Sequence, residues 1–148
     1  MREDEYGEWL PRMRQSYAED MIGNGGVSEE RAQAKASDDI ERLFPGGQPS
    51  PDQIVFVIEA DDQPVGELWV AERDADIVPS LWIYDVHVAE AYRGRGYGKA
   101  AMRYAEEEAR RRGVGDVALM VLGGNDVARS LYRSLGYDEN AVFMSRHV

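Results

Sequence analysis

From Val88 to Lys99 the chain reads Val88-Ala89-Glu90-Ala91-Tyr92-Arg93-Gly94-Arg95-Gly96-Tyr97-Gly98-Lys99. Three alternating glycines let the main chain approach a ligand closely, and Arg93, Arg95 and Lys99 set positive charge beside them. A helix beginning there presents unpaired N–H groups and about half a positive charge from its dipole. Together these make a cradle for a phosphate-bearing anion. Other residues could move protons. Glu67 and Asp85 interrupt apolar strand patterns, whereas Glu19, on an amphipathic helix, could instead bind a cation. Each acid reads equally as a solvent-facing residue.

The elements that position them follow from periodicity. Tyr6, Trp9, Leu10, Met13, Tyr17 and Met21 recur at helical spacing, with Pro11 marking a kink or a first turn, and Gly23-Asn24-Gly25-Gly26 ends the run. Ser28 caps a second helix through Ala32, Ala36, Ile40, Leu43 and Phe44. The proline- and glycine-rich stretch 45–51 is a loop. Strands are expected over 54–58 and 65–70, joined by a turn at Asp61-Asp62-Gln63-Pro64. A loop over 74–79 leads to a central strand over 81–88. A helix follows over 100–112 with Gly113 as its C-cap, then a buried strand over 117–122. A short helix over 125–135 is stopped by Gly136, and a strand over 141–145 closes the chain. No repeat or linker divides residues 1–148, so a single domain is expected.

Composition narrows the chemistry. Without cysteine there is no disulfide, thiolate metal site or cysteine nucleophile, and two histidines make an imidazole metal centre improbable, so no metal is expected. The net charge of −11 opposes general binding to nucleic acid and suits a cationic partner or simple solubility. No apolar run approaches the roughly 18 residues of a membrane span, and Met1-Arg2-Glu3-Asp4-Glu5 is unlike a signal peptide. A cytoplasmic protein without membrane attachment is expected.

Two phosphate-binding motifs can be tested against the glycines. A Walker A loop ending at Gly98-Lys99 would need glycine at Arg93 and a hydroxyl at Ala100, so it fails. Gly96-Tyr97-Gly98-Lys99-Ala100-Ala101 does satisfy the dinucleotide pattern G-x-G-x-x-A, but Leu122-Gly123-Gly124 stands where an acidic residue should hold the ribose.

The third comparison is specific. Val88, Arg93, Gly96 and Gly98 fit V-x-P-x-x-R/Q-x-x-G-x-G/A with Glu90 in place of proline, and the chain resembles the GNAT superfamily of N-acetyltransferases there. Asn125, Ala128, Leu131, Tyr132, Gly136 and Tyr137 match a second block of that family, N-x-x-A-x-x-L-Y-x-x-x-G-F/Y. The resemblance implies an α/β (α+β) fold with a mixed central sheet of about six strands, helices on both faces and a splayed acetyl-CoA slot. Relatives usually open with an edge strand, for which only Met1 to Glu5 remain before the first helix.

Residue by residue, the resemblance implies that main-chain groups from Gly94 through Gly96, Tyr97 and Gly98 to Lys99, with Arg93 and Arg95, hold the pyrophosphate of acetyl-CoA. Val86 and Val88 would pair with its pantetheine arm, an amide near Val88 would steady the oxyanion, and Asn125 and Ala128 would meet the arm from the far side. Tyr132 would be the general acid. With no cysteine to carry the acetyl group, the acceptor amine attacks directly and needs a base, for which Glu67 and Asp85 are the candidates. Met120 stands where some relatives place that base. His87 alternates with Val86 and Val88 and reads as a slot wall, while Trp69 and Trp82 read as core aromatics. Tyr17 and Glu19 would face the acceptor, a small cationic metabolite or a protein amine. A homodimer is compatible with the family, and a non-catalytic acyl-CoA-binding domain on the same scaffold is the rival reading.

Overall fold

The computed structural model describes residues 1–74, 79–142, 144 and 146. Helix α1 (Tyr6–Gly23) continues through Pro11 and is followed by α2 (Glu29–Leu43). Strands β1 (Gln53–Ala60), β2 (Gln63–Arg73) and β3 (Ser80–Val88) form antiparallel neighbours, and β4 (Asp116–Leu119) joins β3 in parallel. Helix α3 (Tyr97–Arg112) links β3 to β4, and α4 (Asp126–Ser134) follows β4. The architecture is the expected mixed sheet with helices on both faces.

Strand alternation builds two cores at once. Trp69 packs with Val55 on one face, against Tyr6, Trp9, Leu10 and Met13 of α1 and against Ile40, Leu43 and Phe44 at the end of α2. Leu68 and Val70 point the other way and meet Leu81, Ile83 and the α3 residues Met102, Ala105 and Ala109. A smaller cluster of Ala18, Met21, Ala32 and Ala36 lets α1 and α2 approach closely. At the end of α3, Glu108 is buried with two arginines on it at 2.6 Å, and one of them, Arg112, also reaches Glu72 of β2 at 2.8 Å. That clamp fixes α3 against the sheet.

Two local features deserve their chemistry. Asp61 and Asp62 both adopt positive φ (51° and 60°), which makes the β1–β2 connection a two-residue turn of the kind that matches strand twist. The main chains of Gly66 and His87 lie so close that a Cβ on Gly66 would stand 2.1 Å from the His87 carbonyl oxygen.

Among the described residues the sheet has four strands. The N-terminal segment supplies no strand. Its ammonium donates to the Val55 carbonyl at 2.7 Å, and a single 3-10 turn (Glu3–Glu5) leads into α1. The strand expected over 117–122 ends at Leu119. The strand expected over 141–145 falls partly on Phe143 and Ser145, outside the described residues, and its members Ala141, Val142 and Met144 are exposed without strand pairing. The loop expected over 74–79 likewise has 75–78 outside them.

Candidate active site

Strand β3 is bulged where the chemistry gathers. Its register with β2 pairs Trp69 with Asp85 and then Val70 with Ile83, leaving Tyr84 as an extra residue. A bulge sends two successive side chains to one face. Tyr84 stacks on Trp69 (centroids 4.5 Å apart, 17° between planes), and Asp85 joins Trp9 and Met13 in lining a cleft on the α1 side. Unbroken alternation would have placed Asp85 with Ile83, under α3.

The same strand has one open edge. The Ala89 amide donates to the Val65 carbonyl at 2.9 Å. Alternation along an antiparallel pair then turns the main-chain groups of Asp85 and His87 towards β2 and those of Val86 and Val88 away from it. On that far side β4 pairs with β3 from Ser80 to Ile83. Beyond Leu119 the chain leaves the sheet, and Leu122 packs against the α1–α2 cluster instead. Val86 and Val88 therefore face an edge with no strand partner among the described residues.

The open edge runs into the glycine run. After a 3-10 turn (Glu90–Tyr92), Gly94 (φ 74°) and Gly96 (φ 89°) take left-handed conformations that side chains resist, and Gly96 stands as the N-cap of α3. The first helical bond runs from the Ala100 amide to the Gly96 carbonyl, so the amides of Tyr97, Gly98 and Lys99 are the helix's unpaired donors. Gly98 lies where a Cβ would touch Leu131 of α4 at 3.7 Å and Val88 at 4.0 Å, joining strand, helix and cradle. Arg95 lies 5.5 Å over the Tyr92 ring, whereas the Arg93 Nε donates to the Val88 carbonyl at 2.9 Å. Arg93 thus ties the cradle to the open edge.

Helix α4 carries Tyr132, which packs against the core between the sheet and α3. Asn125 caps this helix, its Oδ1 accepting the Ala128 amide at 3.1 Å. Burial, then the charges of Asp85 and Asp20, push the Tyr132 phenol up to about 12. It holds its proton across the neutral range.

The cleft over the α1 face of β3 has a volume of about 380 Å³ and gathers Glu19, Glu67 and Asp85 with Arg12 and His87. Glu67 accepts from the Arg12 guanidinium at 3.0 Å, and Glu19 accepts from Gln15 at 2.8 Å. Asp85 has a different environment. Burial first, then the charges of Glu67 and Asp20, push its carboxyl up to about 7, against a smaller opposing effect of the Val86 amide. His87 is held below the ordinary imidazole range, by burial first and then by Arg93 and Arg12, with Glu67 opposing. Among the described residues no cluster of His, Asp or Glu could hold a metal ion.

Of the residues proposed from sequence, Glu19, Glu67 and Asp85 meet in this cleft. Tyr17 turns elsewhere: its hydroxyl donates to Asp39 of α2 at 3.2 Å. Trp69 is core, with its Nε1 donating to the buried Gln53, while Trp82 is half-buried beneath Arg73. Arg12 and Asp20 went unread in the sequence. For Arg12 the signal was present, since Trp9, Arg12, Ser16 and Glu19 follow one another at three- and four-residue steps along one side of α1.

The profile of the acetyltransferase (GNAT) family matches residues 10–137. The uncharacterized N-acetyltransferase YycN of Bacillus subtilis (strain 168) is 30% identical over 147 residues, spanning 99% of this chain and 94% of that protein. The crystal structure of YycN superimposes with a TM-score of 0.89 over 100% of this chain and 95% of the other, again at 30% identity. An aminoglycoside N-acetyltransferase, AAC(6')-Iy, solved in complex with CoA, shares the fold at 16% identity with a TM-score of 0.61, over 99% of this chain and 91% of its own.

Proposed function

This chain belongs to the GNAT family of acetyltransferases, and on that footing we propose that it transfers an acetyl group from acetyl-CoA directly to a primary amine. The observation that carries the reading is the placement of β3. Past Ile83 one edge of this strand has no strand partner among the described residues, its end leads into the glycine run, and its α1 face carries Asp85. A donor held along the edge and an acceptor held in the cleft would meet at one strand.

The residues suit an acyl-CoA. Left-handed Gly94 and Gly96 and the free amides of Tyr97, Gly98 and Lys99 would hold the pyrophosphate, with Arg95 and Lys99 adding charge. Pantetheine is a peptide-like chain, so the outward main-chain groups of Val86 and Val88 would hold it as an added strand, with Asn125 and Ala128 opposite. When bound, acetyl-CoA supplies an acetyl thioester and a thiolate leaving group.

The chain's own groups then divide the proton work. An alkylammonium of pKa near roughly 10 must lose a proton before its nitrogen attacks. Asp85, titrating at about 7, is ionised at mildly alkaline pH and basic enough to take that proton; Glu67 is already paired with Arg12. Asp85 is therefore the base of this mechanism, and Glu67 and Glu19 attract the cation. The outward Val88 amide would face the oxygen where negative charge develops. Tyr132 donates towards the departing sulfur. A phenol at about 12 is a weak acid, but a thiolate whose conjugate acid lies near roughly 8.5 leaves readily and asks only for a hydrogen bond.

Calorimetric titration with acetyl-CoA, followed by thiol-release assays on a panel of amines, tests this. A cysteine-free chain contributes no thiol signal of its own. Binding with turnover on at least one amine is expected. Binding without turnover on any amine would leave only the acyl-CoA-binding role, and no binding to folded protein would overturn the cradle.

A further inference from the structure

The acceptor cleft does not end at Glu67. A second cavity of about 540 Å³ lies beyond it, between the start of α1 and the β1–β2 pair. The two cavities share Trp9, Arg12, Glu67 and His87 as lining residues. The Arg12–Glu67 ion pair is one part of that shared boundary. Its partners are unlike: the Glu67 side chain is 15% exposed and belongs to the sheet wall, whereas Arg12 is 61% exposed and reaches in from α1. An ion pair with so solvated a partner adds little stability, so another cation can replace Arg12 at small cost. The far cavity is lined by Val57 and Pro64 of the sheet and by Arg2, Asp4, Glu5 and Glu8 of the N-terminal segment and the start of α1.

Resting on the acetyltransfer reading above, we propose that the acceptor is an elongated dication that reaches from the acceptor cleft to the border of the second cavity. Its reacting amine lies at Asp85, its second charged nitrogen takes the place of Arg12 on Glu67, which both cavities share, and its methylene chain joins the two along the cleft. Arg12 is then a displaceable partition that a monoamine leaves shut. The arrangement selects for charge number as well as for a free amine, because a monoamine has nothing to offer Glu67 in exchange for Arg12.

The test is calorimetry on the full chain with CoA bound, comparing 1,5-diaminopentane with pentylamine. The diamine should bind at least about tenfold more tightly, the effect of one well-placed charge pair. Glu67→Gln should erase that preference, bringing the two amines' affinities to within about threefold of each other. Arg12→Ala should tighten the diamine by more than it tightens pentylamine. Equal affinities for the two amines, a preference that survives Glu67→Gln, or a diamine that gains nothing from Arg12→Ala would each overturn the proposal. Turnover separates this idea from the one beneath it. Diamine binding of the expected rank without acetylation would sink the acetyltransfer reading and keep the subsite. Acetylation of both amines at equal kcat/KM would do the reverse.

Discussion

Replacing Asp85 by Asn keeps the shape of the bulged residue and removes its charge, so it isolates the base. Asp85 titrates at about 7 because burial and the charges of Glu67 and Asp20 disfavour its ionised form. With the base half ionised near pH 7, kcat should fall about tenfold for each unit below that value and level off above pH 8. Asp85→Asn should lose this limb and about 10²–10⁴ of kcat, the usual contribution of a positioned base. Stability should move the other way. A carboxyl whose pKa is raised on folding, from 3.8 to about 7, binds its proton more tightly in the native state. Its contribution is therefore full below about pH 4 and is lost as pH rises through 7. The Asn variant escapes that loss, so its Tm should exceed the parent's at pH 8 and converge with it near pH 4. Thiol-release kinetics from pH 5.5 to 9 and thermal melts from pH 4 to 9 provide both readings. A variant that keeps kcat within threefold of the parent, or keeps the acidic limb near 7, would refute Asp85 as the base.

Further expectations concern its neighbours. Glu67→Gln removes one of the charges that raise Asp85, so the acidic limb of kcat should shift to lower pH with kcat largely kept; a collapse of kcat would make Glu67 the base instead. Tyr132→Phe removes a hydrogen bond to a developing charge, worth about 1.5–3 kcal/mol, so kcat should fall about 10- to 150-fold while calorimetry shows unchanged CoA affinity. Gly66→Ala puts a methyl group 2.1 Å from the His87 carbonyl oxygen, which rigid backbone cannot absorb. Thermal unfolding should show a loss of about 1–3 kcal/mol, and acetyl-CoA should bind more weakly as β3 is displaced.

The glycine turn and the helix start after it were legible because their signals are local. Gly94 and Gly96 are needed for φ values that depend on nothing outside the turn, and a helix start follows them in the sequence itself. The choice between Glu67 and Asp85 was not legible. Alternation along 81–88 assigns Asp85 to the face of Ile83, and only the β2–β3 register reveals that Tyr84 is the extra residue that reverses it. Arg12 and Asp20 were hidden for a related reason. Helical spacing gives the residues on one side of α1, but not which strand acids they meet, since that depends on how Trp9 and Met13 seat the helix over Trp69.

The open edge shows the same limit from the other side. Residues 117–122 are uniformly apolar and read as one strand, yet pairing stops at Leu119 because Leu122 is drawn into the small-residue seam between α1 and α2. Ala18, Ala32 and Ala36 make room for that seam, and Gly25 brings the α1–α2 turn within 3.3–3.4 Å of the Leu122 methyls, measured from where its Cβ would be. The open edge beside Val86 and Val88 thus depends on residues far from it in sequence. A bulky side chain at Ala18 would act on that edge through Leu122, without touching Val86 or Val88.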